Sequence, residues 1–137
     1  MPRTPSLMAL ALAVCTVAWA SLAIAQPPAR VTANVALGFY RCVGSGLADV
    51  DTYVRDVHGP AADELVAEGL WVEWSYLTHR YGDEFNRVFM YEAVDLESHI
   101  VASAEFTRRV AERFEGTSPI TAHCPEHRDN IYTRTLP

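Results

Sequence analysis

Lysine is absent from the 137-residue sequence, although 11 arginines are present. A lysine Schiff base, a lysine general base and a phosphate-loop lysine are therefore excluded. The sequence also lacks a nucleophile-elbow serine motif, a dinucleotide-binding glycine fingerprint and internal repeats. No motif therefore identifies a particular reaction, or shows that the protein catalyses one.

Cysteine is scarce, with three residues in the whole sequence. Cys15 lies in the apolar N-terminal run, and the valine before it is a poor fit to a lipid-attachment site. Cys42 and Cys124 lie in the remainder, and an even count in an oxidising compartment predicts a disulfide between them. Two free thiols, one of them catalytic, are the alternative.

The N-terminal segment predicts export. One basic residue, Arg3, precedes an uncharged apolar run, and Ala23-Ile24-Ala25 provides the small residues of a cleavage site. A retained membrane anchor is the alternative, because the uncharged stretch is long enough to span a bilayer. We predict a secreted or periplasmic protein with a signal peptide at 1–25, a mobile leader at 26–34 and one domain at 35–137.

The predicted mature chain is small and acidic. Cleavage after Ala25 leaves 112 residues, which suffice for one compact domain. They include 17 acidic and 10 basic residues, for a formal charge of −7. Because nucleic acids and anionic membranes require clustered cations, we expect neither as a partner.

Hydrophobic periodicity predicts an α+β domain. Gly59-Pro60 should kink the first helix or divide it in two, and Asp95 is a good N-cap for the second. The order βαββαβ predicts a ferredoxin-like protomer with a four-stranded antiparallel sheet and two helices on one face. The predicted elements are strands at Val35–Val43, Leu70–Arg80, Phe85–Val94 and Asn130–Leu136, and helices at Leu47–Gly69 and Leu96–Gly116.

The alternation of the second strand has a consequence for assembly. Trp71 and Leu77 fall on the side opposite Trp74 and Tyr76, so both faces of the sheet should be covered. A homodimer is the economical way to cover the second face. The second helix should bury a stripe made of Leu96, Ile100, Ala104, Thr107, Val110, Ala111 and Phe114.

The segment Val57-His58-Gly59-Pro60 resembles the EthD-type branch of the dimeric α+β barrel superfamily. The matching run begins at Asp51, and the element order agrees from Val35 to Phe114. The resemblance implies a ferredoxin-like protomer, a dimer and a ligand cavity between sheet and helices. It does not imply one activity, because the superfamily includes cofactor-free oxygenases, isomerases and haem enzymes.

His58 is the leading candidate for a catalytic residue, because imidazole acts as a base near neutral pH. The alternative is a helix residue that hydrogen-bonds the backbone near Pro60. His79 shares a face of its predicted strand with Glu73 and could form an acid–base couple with it, although exposure is expected there. Large aromatic side chains could line an apolar pocket or form the core: Tyr40, Trp74, Tyr76, Phe89 and Tyr91.

The remaining histidines suggest less. His99 should lie at the boundary between the buried and the exposed face of its helix. His123 and His127 have the spacing of two metal ligands on a helix, but Pro125 between them makes a regular helix unfavourable. We predict no metal and no cofactor.

The sequence thus predicts an exported homodimer that binds a small apolar organic ligand, with cofactor-independent oxygenation or isomerase-type chemistry if it is an enzyme. A non-catalytic binding or assembly module is one alternative. A haem-binding member of the same superfamily, with His58 or His99 as axial ligand, is another.

We expect native mass spectrometry of the untagged exported protein to show a dimer of 112-residue chains. Each chain should be two hydrogens lighter than its reduced form, because the disulfide removes them. A monomer would contradict the barrel assembly, and a chain that keeps the first 25 residues would contradict cleavage.

Overall fold

The computed structural model describes residues 34–81 and 84–135, which form a four-stranded antiparallel sheet with helices on one face. The sheet order is β2-β3-β1-β4, so the predicted βαββαβ arrangement is confirmed. The predicted signal peptide lies outside the described residues, as does the predicted leader except for Asn34. The strands are β1 (Asn34–Arg41), β2 (Glu73–Thr78), β3 (Arg87–Ala93) and β4 (Glu126–Thr133). The helices are α1 (Leu47–Tyr53), α2 (Gly59–Ala67), α3 (Leu96–Arg113) and α4 (Pro119–His123).

A π-helical turn at Val54–His58 joins α1 to α2. The Gly59 N–H donates to the Val54 carbonyl, five residues earlier. Pro60 has no N–H to donate, so the regular helical ladder cannot pass through it. Of the two predicted outcomes, a kink or two helices in series, the chain forms two helices in series, and the π turn keeps its backbone helical between them.

Gly59 is required by the packing of this turn. A Cβ at this position would lie 2.9 Å from the Val54 carbonyl oxygen and 3.3 Å from the Trp74 ring. The first distance is too short for a Cβ and involves a backbone atom, and the second would require the Trp74 ring to shift. Glycine at position 59 therefore lets the turn approach β2 closely.

The last strand begins four residues earlier than predicted, at Glu126 instead of Asn130. The polar residues 126–129 have no alternating apolar pattern, which is why the sequence indicated a turn-rich segment there. In the structure they pair with residues 38–41 of β1. Backbone pairing with a central strand, which side-chain patterns do not report, decides this boundary.

Helix α3 begins as predicted, since the Asp95 carboxylate accepts a hydrogen bond of 2.7 Å from the Ser98 N–H. The predicted buried stripe is largely wrong. Leu96 and Ile100 are exposed, whereas His99 and Ala102 are buried. The face of α3 that meets the sheet is rotated from the predicted face by about one residue, or roughly 100° around the helix axis.

The sheet face opposite the helices carries a group of apolar side chains and is open in the single chain; the charged residues Glu73, Glu92 and Arg128 lie on it as well. Leu77 lies on this face as predicted and is 51% exposed. The prediction for Trp71 is wrong. This residue precedes β2, its backbone N–H donates to the Leu65 carbonyl, and its ring is buried on the helical side. The strand alternation does not extend to position 71, because β2 begins at Glu73. The apolar residues of the open face are Val35, Leu37, Phe39, Leu77, Val88, Met90 and Tyr132.

Cys42 and Cys124 form the predicted disulfide, which closes a sequence separation of 82 residues. Both cysteines are buried in the core cluster that includes Val50 and Phe89. The bond therefore fastens the end of β1 to the segment that leads into β4.

We expect the double variant Cys42→Ala, Cys124→Ala to lose roughly 4 kcal/mol of unfolding free energy, because the bond restricts a long loop of the unfolded chain. Chemical denaturation of the variant and of the parent measures the difference. The parent under reducing conditions is the control and should lose a similar amount. Equal stability of oxidised and reduced parent would contradict the prediction.

Candidate functional site

His58 lies between the helical layer and the sheet, at the end of the π turn. Its side chain is buried, with 6% of its surface exposed. Its Nε2 atom is 2.7 Å from the Tyr91 hydroxyl oxygen. The predicted alternative, a hydrogen bond from His58 to the backbone at the proline, is replaced by this side-chain bond. The rings around the imidazole are those of Tyr53, Trp74, Phe89, Tyr91 and Phe106.

The surroundings of His58 favour its neutral form. Burial lowers the pKa of His58 to about 3. Burial also raises the pKa of Tyr91 well above its ordinary value. At neutral pH the pair is therefore an uncharged imidazole and an uncharged phenol, with the phenol donating to Nε2 when the histidine proton is on Nδ1.

A cavity of about 410 Å³ opens between α3 and strands β1 and β4. The Tyr91 ring is part of its wall, but His58 is not. A molecule in the cavity can thus contact Tyr91 directly and His58 only through Tyr91. The lining residues are Ala36, Leu37, Gly38, Tyr40, Trp71, Tyr91, His99, Ser103, Phe106, Thr107, Asp129, Asn130 and Ile131.

The five aromatic residues predicted to form one pocket do not share one. Tyr40 and Tyr91 line this cavity. Trp74 and Tyr76 line a separate cavity of about 310 Å³ beside α1 and α2. Phe89 lies in the core, 2% exposed, and lines neither. All five point from the sheet toward the helices, but the helical layer and His58 divide the space above them.

The cavity wall also includes Trp71, which the sequence placed on the other sheet face, and His99, which it named only as an alternative haem ligand. Trp71 Nε1 and His99 Nδ1 are buried and have no hydrogen-bond partner. The other His99 nitrogen, Nε2, lies 3.3 Å from the Ser103 hydroxyl. Burial lowers the pKa of His99, so the ring is held toward its neutral form. The sequence contained a weak signal for His99 only, as a polar residue within the helix.

Gly38 and Asp129 shape the opposite side of the cavity. A Cβ at Gly38 would lie 2.9 Å from the Tyr40 ring and 3.1 Å from Asp129 Oδ1. The missing side chain therefore makes room for both neighbours. Burial, with the Asp129 carboxylate adding to it, raises the pKa of Tyr40 to about 12. The carboxylate is thus close enough for its charge to act on the wall of the cavity.

The second cavity is bordered by a tight polar network. Asp51 accepts from Arg87 Nε at 2.7 Å and from Arg87 Nη2 at 2.8 Å, and its Oδ1 also accepts from the Tyr76 hydroxyl. The Arg87 hydrogen bond holds the pKa of Asp51 below its ordinary value. Trp74 Nε1 donates to Asp63 at 2.7 Å. The polar atoms of this network already have partners, so it ties α1 and α2 to the sheet.

The other candidate histidines do not assemble into a site. His79 follows β2, is exposed, and lies about 20 Å along the strand from Glu73, too far for an acid–base couple. His123 Nε2 lies 3.5 Å from Asp49 Oδ2, whereas His127 Nε2 lies 3.7 Å from Asp129 Oδ2. Across residues 34–81 and 84–135 no group of three or more metal-binding side chains comes together.

His58 does not fit as an axial haem ligand, because its Nε2 is bonded to Tyr91 and five aromatic rings surround it. His99 is the one histidine among the residues that line the larger cavity. Only its Nδ1 lacks a partner.

In the part of the chain that the structure describes, no helix has the length and apolar character needed to cross a membrane.

The sequence matches no protein-family model and no curated relative. The structure is similar to a NIPSNAP family protein from Agrobacterium tumefaciens, at 12% identity and a TM-score of 0.58, over 78% of this chain and 90% of that one. A dimeric ferredoxin-like protein from an uncultured marine organism has 8% identity and a TM-score of 0.58, over 79% and 91%. A variant of SnoaB, a cofactor-independent oxygenase from Streptomyces nogalater, has 12% identity and a TM-score of 0.53, over 78% and 97%.

These similarities confirm the ferredoxin-like α+β fold, and the neighbours include a dimeric protein of that fold. At such low identities they establish the fold alone. The disulfide is compatible with an extracellular protein.

We expect the stability of the protein to fall as the pH decreases from about 6.5 toward 3, in part because of His58. Its folded-state pKa lies below the unfolded value, so the unfolded chain binds the extra proton throughout this window. His58 alone contributes a slope of at most about 1.4 kcal/mol per pH unit. Chemical denaturation at several pH values measures it.

The variant His58→Gln is the control, since glutamine keeps a polar side chain but does not titrate. Its stability should depend less steeply on pH than that of the parent. His99 titrates in both proteins, so the difference between the two curves isolates His58. Parallel curves would show that His58 is not held neutral by burial.

Proposed function

We propose that the protein is an exported homodimer that binds a small, largely apolar organic molecule in the cavity between α3 and strands β1 and β4. The observation that carries the proposal is the cavity itself, about 410 Å³ and walled by Tyr91, Trp71 and Phe106. A volume of this size suits a small organic molecule, and aromatic side chains in the wall are typical of such sites. His58 acts in this proposal as a positioning residue that holds the Tyr91 ring.

The dimer is supported by the open sheet face. Seven apolar side chains lie there, and Leu77 and Tyr132 are each 51% exposed. Large exposed apolar patches mark interaction sites, and a second copy can bury the same surface on both chains. A solved neighbour of the same fold is described as dimeric. The EthD-type branch is our proposed affiliation, and it rests on the sequence around His58.

Catalysis without a cofactor is a second candidate, either by proton transfer or by oxygenation. It is favoured by Tyr91, which lines the cavity and whose hydroxyl oxygen lies 2.7 Å from His58 Nε2. One solved neighbour is a cofactor-independent oxygenase. His58 could accept a proton only through Tyr91, and its low pKa makes it a weak base, so binding is the function that the geometry supports better.

Deuterium uptake by acetylnaphthalene in heavy water separates the two candidates. A catalytic pair would exchange the hydrogens next to the carbonyl faster than buffer does, and Tyr91→Phe would abolish the exchange while the ketone still bound. Exchange at the buffer rate in the parent would contradict proton-transfer catalysis and leave the binding function.

For the binding function, we expect N-phenylnaphthylamine, an uncharged dye that fluoresces in apolar surroundings, to bind once per chain. The variant Ser103→Phe should weaken binding by roughly tenfold or more, because the added ring fills the cavity. Fluorescence titration measures the affinity.

The matched control is Ala104→Phe, which adds the same ring at the next, exposed position of α3. It should change the affinity by less than about twofold, since position 104 does not line the cavity. Equal effects of the two substitutions, or no binding to the parent, would contradict the proposed site.

A further inference from the structure

Two residues that line the larger cavity each have a buried polar atom without a hydrogen-bond partner. Trp71 Nε1 is an obligatory hydrogen-bond donor that is buried and has no partner. A buried donor without a partner is unfavourable, so native structures rarely retain one without a reason. His99 lines the same cavity, and its buried Nδ1 is also unpartnered. A ligand that presents an acceptor to this wall would satisfy the donor.

The charge of the cavity restricts which acceptor fits. Among its lining residues, all within the described part of the chain, Asp129 has the one formal charge, and no arginine is present. Its carboxylate lies against Gly38 and acts electrostatically on Tyr40. A carboxylate or phosphate ligand would enter without a cationic partner and would be repelled by Asp129. The acceptor must therefore be uncharged.

Two aromatic rings of the cavity wall, those of Tyr91 and Phe106, pack against the Trp71 ring and against each other, with 6.0 Å between their own centroids. The Trp71 ring lies 4.6 Å from the Tyr91 ring and 5.2 Å from the Phe106 ring, measured between centroids. These rings offer flat apolar surfaces next to the unpartnered donor. Flat rings stack favourably on such surfaces.

We infer that the ligand is an uncharged aromatic carbonyl compound, whose carbonyl oxygen accepts from Trp71 Nε1 and whose ring packs against Tyr91 and Phe106. This inference rests on the proposed function and specifies the chemistry of its ligand. Asp129 is the residue that determines specificity, because its charge excludes the corresponding carboxylates. Trp71 Nε1 is fully covered in the unliganded chain, so the wall side chains shift as the carbonyl enters.

The test uses three probes of nearly the same shape: acetylnaphthalene, naphthoate and ethylnaphthalene, substituted at the same ring position. The first has a neutral carbonyl, the second a carboxylate and the third no polar group. Each is titrated into the disulfide-bonded mature protein at about pH 8, where an ordinary imidazole is neutral. Binding is followed by nitrogen–proton correlation spectra of the two tryptophan indole groups, Trp71 and Trp74.

Trp74 is the internal control, since this residue lines the other cavity and its Nε1 already donates to Asp63. Acetylnaphthalene should shift the Trp71 indole signal and leave the Trp74 signal in place. It should bind about fivefold more tightly than ethylnaphthalene, as one hydrogen bond allows. Naphthoate should bind more weakly than either.

Two variants extend the test. Trp71→Phe keeps an aromatic ring without the donor, so acetylnaphthalene should lose its advantage over ethylnaphthalene. Asp129→Asn removes the charge with little change of shape, so the affinity for naphthoate relative to acetylnaphthalene should rise about fivefold.

Naphthoate or ethylnaphthalene binding as tightly as acetylnaphthalene would overturn the ligand class and leave the cavity as a binding site. A ketone that shifts the Trp74 signal instead of the Trp71 signal would also overturn it. If none of the three probes and no uncharged dye binds, the proposed function fails together with the inference.

Discussion

The packing of aromatic rings around His58 holds the helical layer to the sheet. The imidazole lies 4.6 Å from the rings of both Phe89 on β3 and Phe106 on α3, and its one hydrogen bond goes to Tyr91. The π turn that ends at His58, and the glycine that follows it, bring this ring onto the sheet. Because the surroundings are apolar, the arrangement requires a neutral imidazole. The same constraint that stabilises the core therefore makes His58 a poor base.

This central cluster also divides the space between the two layers. On one side, Trp71, Tyr91 and Phe106 form part of the wall of a cavity, and two of its lining residues, Trp71 and His99, each have a buried ring nitrogen without a partner. On the other side, Trp74 and Tyr76 border a cavity whose polar atoms are already paired with Asp63 and Asp51. The first arrangement is suited to binding a ligand, and the second to fastening helices to strands. The difference lies in which polar groups have partners, since the residue types of the two regions are similar.

Much of the fold could be predicted from local patterns. The cap at Asp95, the interruption at Gly59-Pro60 and the disulfide between Cys42 and Cys124 each follow from local chemistry or from a count, and each was confirmed. The buried face of α3 and the start of β4 were not predicted correctly. The helix face depends on how α3 lies across the sheet, and the β4 boundary depends on pairing with β1. Neither property is encoded by the spacing of apolar residues within the element itself.

The sequence by itself determined the order of strands and helices, the pairing of the two cysteines and the motif that places His58 two residues before Pro60. These features depend on neighbours along the chain or on a count of residue types. Only the tertiary structure decided that His58 lies behind Tyr91, that the five predicted aromatic residues separate into two cavities and a core, and that Trp71, His99 and Asp129 line one cavity. Residues from β1, β4, α3 and the segment before β2 meet there because two layers pack together. A ligand site between layers is formed by that packing, so local sequence patterns cannot specify it.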